Sequence, residues 1–410
     1  MKPRGPVRLV LTALAAGWIL ASTARPAGAD KIGGSNLPQS KPALKGRISE
    51  DGATSAWVFG AGVGATTNAG PTLLETPSAF VEQSLGYAQI LKTDFGRVDV
   101  AANLQNRRYT SFSEADELTG SASAALTRDW GTAKTVATLA FSSSRDVEER
   151  LTDTSLVIEH AATAGVTKPY ARAEAAYLDF TDMPGEPGPF QNADDRDRLS
   201  ARLEIGLRRT LTDEITLEAG AGIDTKRYRA SADDFGMNRD SVSVFPLMGL
   251  TYATERATVR AIYSPFLRLY REPIFEDAWK HGYRVEGEVK LSEAWKAFGA
   301  ARYGFEETDF LIASSAYERV VLAGLTVTFA DKGTASLAAS RSWRDYDGLG
   351  LLGIARADEK TEVQIAAEWP LNETLAVSGK VSYLDFRSSF GALETDALTA
   401  MVGLTYAVAK

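Results

Sequence analysis

Between Tyr283 and Leu291 the chain changes character at every residue: Tyr283, Val285, Gly287, Val289 and Leu291 interleave with Arg284, Glu286, Glu288 and Lys290. Successive side chains on a β-strand point to opposite faces, so as a strand this segment has one apolar wall and one charged wall. Few folds tolerate both. The charged wall needs water or opposite charge beside it, and the apolar wall needs a core or a hydrocarbon phase. The pattern recurs. Ala201, Leu203, Ile205 and Leu207 oppose Arg202, Glu204 and Arg208; Val363, Ile365, Ala367 and Trp369 oppose Glu362, Gln364 and Glu368; Val98, Val100, Ala102 and Leu104 oppose Arg97, Asp99, Asn103 and Gln105.

Alternation alone also fits a soluble sandwich of two sheets, and connection lengths separate the two. About 18 alternating segments (range 16–20) lie between Ser55 and Val408, roughly twenty residues apart, which suits a spanning strand of about ten residues plus its connection. Every second connection is short: Lys92-Thr93-Asp94, Trp130-Gly131-Thr132, Thr212-Asp213-Glu214, Thr254-Glu255-Arg256, Ser292-Glu293, Asp331-Lys332-Gly333 and Leu371-Asn372-Glu373. The intervening ones are long and acidic or rich in glycine and proline, as in Asp182 to Asp195, Ser231 to Asn238, Glu272 to Ala278 and Gly348 to Asp358. The phrases LTDEITL from Leu211, LSEAWKA from Leu291 and LNETLAV from Leu371 start about 80 residues apart, four strands on this reading, which returns the chain to the same rim. The expected fold is all-β: a closed antiparallel transmembrane β-barrel with short periplasmic turns and long extracellular loops.

Composition excludes several other classes. The 410 residues are 44% apolar and 24% charged, without the long apolar runs that membrane helices require. Cysteine is absent, which removes disulfide frameworks, thiolate metal sites and cysteine nucleophiles. Residues 1–29 read as a signal peptide: Lys2, Arg4 and Arg8 precede an apolar stretch from Leu9 to Leu20, too short to span a bilayer, and Ala27-Gly28-Ala29 forms a small-residue cleavage site before Asp30. Loss of Lys2, Arg4, Arg8 and Arg25 with that segment carries the formal net charge from −8 to −12. So acidic a chain is poorly suited to nucleic acid. Residues 30–54 are polar and read as a flexible periplasmic segment, which leaves 55–410 for the barrel.

At the C-terminus Leu398, Ala400, Val402, Leu404, Tyr406 and Val408 share a face and are expected to close the barrel against the first strand near Trp57. Here the chain resembles outer-membrane barrel proteins, whose last strand carries an assembly signal of glycine, two residues, hydrophobic, one residue, hydrophobic. Gly403, Tyr406 and Val408 match it, and Ala409-Lys410 follow where many such proteins stop at an aromatic. The hairpins and the phrases NRRYTSF (from Asn106), YLDFTDM (from Tyr177) and SYLDFRSSF (from Ser382) are similar to the putative β-barrel porin 2 group. That resemblance implies the outer membrane, with its lipid and lipopolysaccharide and the barrel assembly machinery as partners.

Other motifs are weighed against plainer readings. An envelope enzyme usually needs a histidine base beside a nucleophile or carboxylate. The two histidines, His160 and His281, are in phase with apolar neighbours and belong to opposite rims, so no enzymatic role is expected. Gly60, Gly62 and Gly64 are followed by no amphipathic helix, so they are read as inward-facing strand positions instead of a phosphate loop. Pro246 and Pro265 flank the Thr254-Glu255-Arg256 turn at nearly equal distance, which implies a bulge or a weakened ladder at that level. Aromatics end the strands that run into long loops: Tyr109, Phe180, Tyr228, Tyr270, Phe310, Tyr346 and Phe386. They are expected to form an outer interfacial girdle. The acidic loop pairs Asp194-Asp195, Asp233-Asp234 and Glu306-Glu307 read as solvated rather than cation-binding, and no metal or cofactor is expected.

The interior wall is expected to carry Arg97, Arg172, Arg202, Arg260, Arg284, Lys290, Arg302 and Lys380 against Asp99, Glu174, Glu204, Glu286, Glu288, Glu362 and Glu368, with Glu218 in phase. The signs nearly balance, so neither cation nor anion preference follows. A barrel near 18 strands is wide enough for an aqueous channel unless loops fill it. The expected function is a water-filled pore or conduit for small polar solutes or polysaccharide. The alternative is a plugged structural or adhesive barrel that displays acidic loops.

Overall fold

The computed structural model describes residues 55–69, 76–145, 149–182, 197–231, 238–272, 278–307, 315–330, 332–346, 356–389 and 394–409. The expected signal peptide, the segment 30–54, Phe310 and the Pro184–Pro189 loop lie outside the described residues, as do Asp194, Asp195, Asp233 and Asp234. The strands are β1 (Ser55–Thr66), β2 (Ser78–Thr93), β3 (Gly96–Tyr109), β4 (Glu117–Asp129), β5 (Ala133–Arg145), β6 (Glu149–Ala162), β7 (Thr167–Asp182), β8 (Arg198–Thr210), β9 (Ile215–Tyr228), β10 (Ser241–Ala253), β11 (Ala257–Tyr263), β12 (Phe266–Tyr270), β13 (Ala278–Lys280), β14 (Tyr283–Lys290), β15 (Trp295–Glu307), β16 (Ser315–Thr328), β17 (Thr334–Tyr346), β18 (Ala357–Pro370), β19 (Leu375–Ser388) and β20 (Thr395–Ala409). β11 and β12 are halves of one strand, as are β13 and β14, so the wall has 18 strands.

Each strand pairs antiparallel with its neighbours in sequence, and β1 pairs with β20 from Ala56↔Ala409 to Thr66↔Thr399. Trp57 therefore faces Val408, and the sheet has no free edge along this seam. Gly62 and Gly403 stand directly opposite each other there. A Cβ on Gly403 would sit 3.0 Å from the Ala61 carbonyl oxygen, so the neighbouring backbone closes over the glycine of the assembly phrase.

The repeated turn phrases have one structural cause. In each, a small polar side chain accepts from the two amides that begin the next strand. Thr212 Oγ1 accepts from Glu214 and Ile215 (3.3 and 3.1 Å), Ser292 Oγ from Ala294 and Trp295 (3.3 and 3.1 Å), and Asn372 Oδ1 from Thr374 and Leu375 (2.9 and 2.8 Å). Side chains of this kind imitate a backbone turn and hold the hairpin closed. Asn372→Ala should cost about 1 kcal/mol, because two amides lose their acceptor but stay near water. Urea unfolding of the variant in lipid vesicles checks this, and an unchanged midpoint would contradict it.

Pro246 and Pro265 prove to be direct partners. The β10 register is the same against β11 (Met248↔Tyr263) and against β12 (Val244↔Leu267), so no extra residue is inserted and there is no bulge. What remains is the weakened ladder. Thr254 N donates to Ala257 O across the hairpin, which makes every second pair above it a hydrogen-bonded pair, the proline pair included. Neither proline has an amide, so both bonds of that pair are missing.

Inward aromatic rings lie flat over glycines of the adjoining strand. A Cβ on Gly64 would meet the Phe80 ring at 2.4 Å, on Gly206 the Tyr170 ring at 2.7 Å, on Gly222 the Phe245 ring at 2.3 Å, and on Gly324 the Phe298 ring at 2.3 Å. Glycine at these positions leaves the space the ring occupies, and the ring covers backbone that glycine exposes. The large side chains thereby line the wall without standing out into the interior.

Candidate functional site: the charged interior face

Side-chain phase divides the closed sheet into two surfaces. Outside, Leu203, Ile205 and Leu207 on β8 and Val402 and Leu404 on β20 are exposed, Ile205 and Val402 by 60% each. Their alternates are buried or half-buried, Glu204 and Ala407 among the buried ones. An apolar outer band over a charged inner face is the arrangement that hydrocarbon outside and water inside require.

All sixteen charged positions expected on the interior wall, Glu218 included, share one face of the sheet. Arg97 pairs with Asp99 (2.7 Å), Arg172 with Glu174 (3.1 Å), Arg202 with Glu204 (2.9 Å) and Arg284 with Glu286 (2.6 Å). Glu288 takes Lys296 (2.6 Å), Glu362 takes Lys360 (3.4 Å) and Arg302 takes Glu318. Lys290 lies opposite Lys296, Glu368 opposite Thr334, and Lys380 between Ala366 and Met401.

Partners in register produce continuous networks. Glu159 on β6 binds Arg208 on β8 (3.1 Å), Arg208 binds Glu218 on β9 (3.1 Å), and Glu218 binds Arg260 on β11 (2.8 Å). The last contact crosses β10, where Gly249 leaves the room: a Cβ there would sit 3.2 Å from the Glu218 carboxylate. Tyr170 donates to Glu204 (2.9 Å), and the Arg208 guanidinium lies 4.2 Å from the Tyr170 ring centre. Further round, Glu318 accepts from Arg344 (3.3 Å) as well as Arg302. Arg107 joins Glu82 (2.7 Å) to Glu117 (3.4 Å), and Arg356 holds Asp358 (2.7 Å). Glu82, Arg107, Glu117, Glu159, Glu318, Arg344, Asp358 and Lys360 were not among the expected positions. Their phase along each strand is the signal that identifies them.

The strand-ending aromatics face the opposite way from expectation. Tyr109, Phe180, Tyr228, Tyr270, Tyr346 and Phe386 all point inward, and Phe180 is only 3% exposed. They form an inner collar below the long loops. In three hairpins the aromatic residue's amide donates to the aspartate that precedes the next strand: Tyr109 to Asp116 (2.8 Å), Phe180 to Asp197 (2.7 Å) and Tyr228 to Asp240 (2.9 Å). Arginines cover the rings, Arg198 on Phe180 and Tyr228 and Arg356 on Tyr346. An exterior aromatic belt does exist, at the short-turn rim, from Trp57, Trp130, Tyr252, Trp295, Phe329, Trp369 and Tyr406.

The histidines are outward. His160 Nδ1 shares a hydrogen bond with the Thr135 hydroxyl (2.8 Å), and His281 Nδ1 one with the Tyr263 hydroxyl (3.0 Å). Neither has a carboxylate partner among the described residues. No group of residues with metal-ligand spacing occurs among the described residues.

No curated protein matches the chain. Among solved structures, OpdK of Pseudomonas aeruginosa, determined with vanillate, is similar at 8% identity and a TM-score of 0.47, over 87% of this chain and 99% of its own. OccAB3 of Acinetobacter baumannii is similar at 10% identity and 0.44, over 87% and 99%. The FrpB iron transporter of Neisseria meningitidis is similar at 10% and 0.48, over 81% of this chain and 61% of its own. Residues 83–408, most of the barrel, match the family described as Putative beta-barrel porin 2. With that match and a closed 18-strand wall, the chain belongs to this porin family of the outer membrane.

Proposed function

We propose that the barrel is an aqueous pore for small polar solutes, with Arg97, Asp99, Arg172, Glu174, Arg202, Glu204, Arg260, Arg284, Glu286, Glu288, Lys290, Arg302, Glu362, Glu368 and Lys380 lining its water-filled lumen. The paired charges of the interior face carry this reading. Ionised side chains in such numbers are tolerable within a membrane only beside water or one another, and these sit on the enclosed face of a wide barrel. Gly403, Tyr406 and Val408 serve on the same reading as the recognition signal for the machinery that inserts the barrel among lipid and lipopolysaccharide.

Because the pairs nearly cancel, the pore discriminates weakly by charge and chiefly by size. In planar bilayers the purified protein should give stable conductance steps, with a reversal potential near zero in a potassium chloride gradient. A barrel that inserts and remains closed would overturn the pore in favour of a plugged, structural role. A strongly cation- or anion-selective current would overturn the balance of charge.

A further inference from the structure

The apolar outer band is cut short over β16–β19. On β10 five apolar residues follow the belt residue Tyr252 on the outer face: Leu250, Met248, Pro246, Val244 and Val242. On β17 only Ala335, Leu337 and Ala339 stand above the belt that Phe329 and Trp369 form there, and Arg341, Trp343 and Asp345 come next on the same face. The flanking strands change with it. β18 passes from Val363 to Thr361 and Glu359, β16 from Val321 to Arg319, and β19 from Tyr383 to Asp385 and Arg387. The register sets Arg319, Trp343, Glu359 and Arg387 in one row across the four strands.

Depth makes this row unusual. Arg341 lies six residues along β17 from Ala335 (335 to 341), about 15 Å of height at ~3.3 Å per residue and a tilt of about 40°, whereas the apolar band of such barrels is about 25 Å tall. A charged side chain turned toward lipid at that depth is costly unless something polar meets it. Within the chain each cation has one carboxylate: Arg341 holds Glu359, Arg319 holds Asp345 (2.5 Å) and Arg387 holds Asp385 (3.2 Å). The pairs stay open to the outside, with 53% of the Arg341 side chain and 36% of Glu359 exposed. Three guanidiniums and three carboxylates sum to zero, so an anionic lipid head would meet as much repulsion as attraction. A surface that carries both signs in alternation fits a surface that does the same.

We propose that this patch is the contact between two copies of the chain, related by a two-fold axis along the membrane normal that passes between β17 and β18. The order of the signs carries the reading. Arg341 stands on β17 and Glu359 on β18, one on each side of the axis, and the two-fold lays the second copy's pair beside the first in reverse order. Each guanidinium then gains a second carboxylate, and both pairs leave the lipid together. Trp343, half-buried between Arg319 and Glu359 and 5.2 Å from the Arg341 guanidinium, supplies the apolar centre. Tryptophan and arginine are the residue types that most often anchor such contacts.

The chain lacks cysteine, so Thr361→Cys, beside the axis on β18, reports the contact in an otherwise unchanged protein. In vesicles a short bis-maleimide should join two copies through this position and not through Leu203→Cys, which is exposed on the outer face of β8. Added to Thr361→Cys, Arg341→Glu and Glu359→Arg should each lower the cross-linked fraction about tenfold, because like charges then meet across the axis. Copies with Arg341→Glu reconstituted together with copies with Glu359→Arg should recover it, since unlike copies again oppose opposite charges. Heat-modified electrophoretic mobility identifies folded barrels; if either reversal does not fold, the comparison of Thr361→Cys with Leu203→Cys decides alone. Absence of cross-linking at Thr361→Cys overturns the contact and leaves lipid on the patch. Equal cross-linking at Leu203→Cys, indifference to charge reversal in folded variants, or a mixture of folded variants that stays monomeric overturns it as well. None of these outcomes depends on whether the barrel conducts.

Discussion

Glu218→Gln is expected to destabilise the folded barrel by about 3–5 kcal/mol, because it strips the common carboxylate from two inward arginines. Glu218 is 7% exposed and bridges Arg208 and Arg260, with Tyr170 and Gly249 packed around the cluster. Without its charge both guanidiniums keep their desolvation cost and lose their main compensation. The control is Arg97→Gln at the rim, where side-chain exposures of 46% and 39% in the Arg97–Asp99 pair limit the loss to about 0–1 kcal/mol. Urea unfolding of both variants in vesicles of one lipid composition gives the comparison. Equal losses would mean that the interior pairs are solvated like surface pairs and that no network exists.

Gly222→Val is expected to be strongly destabilising. Its first carbon would lie 2.3 Å from the Phe245 ring and 2.6 Å from the Leu203 carbonyl oxygen, so ring and strand must both move. Overpacking of this kind costs about 1–3 kcal/mol or more in a close-packed site. Phe245→Ala in the same chain removes the ring and should restore part of the loss, leaving the backbone contact. Heat-induced unfolding followed by electrophoretic mobility measures the coupling between the two changes. Additive effects would show that ring and glycine do not interact.

Much of this was legible in the sequence, and the place where the reading failed is instructive. Period two gave the strands, the spacing of Leu211, Leu291 and Leu371 gave the rim, and the match of Gly403, Tyr406 and Val408 pointed to the closing strand. Nearness to a loop puts the aromatic collar on the wrong face, as Phe180 shows. Counting phase from Arg172 and Glu174 puts Phe180 on their face, as counting from Lys380 does for Phe386. The information was present. Strand ends are where lipid, headgroup and water meet, so chemistry alone does not fix a ring's side and only the parity does.

The proline pair was legible as a coincidence of distance from one turn, but not its consequence. Whether two prolines oppose each other at a hydrogen-bonded or a non-hydrogen-bonded position depends on the register, which the turn geometry sets. The charge networks had the same limit. Phase identifies which residues share the inner face, whereas Glu218 finding both Arg208 and Arg260 depends on stagger between strands and on the gap at Gly249.

The absence of cysteine makes the central claim directly measurable, since each single-cysteine variant carries one reporter. Cysteines placed in turn at Val285, Glu286, Gly287 and Glu288 in the membrane-embedded protein are exposed to a charged, membrane-impermeant maleimide. The account predicts fast labelling at Glu286 and Glu288 and protection at Val285 and Gly287. Labelling with the opposite phase, or equally at all four, would contradict a barrel that turns its charges toward water inside and its apolar residues toward lipid.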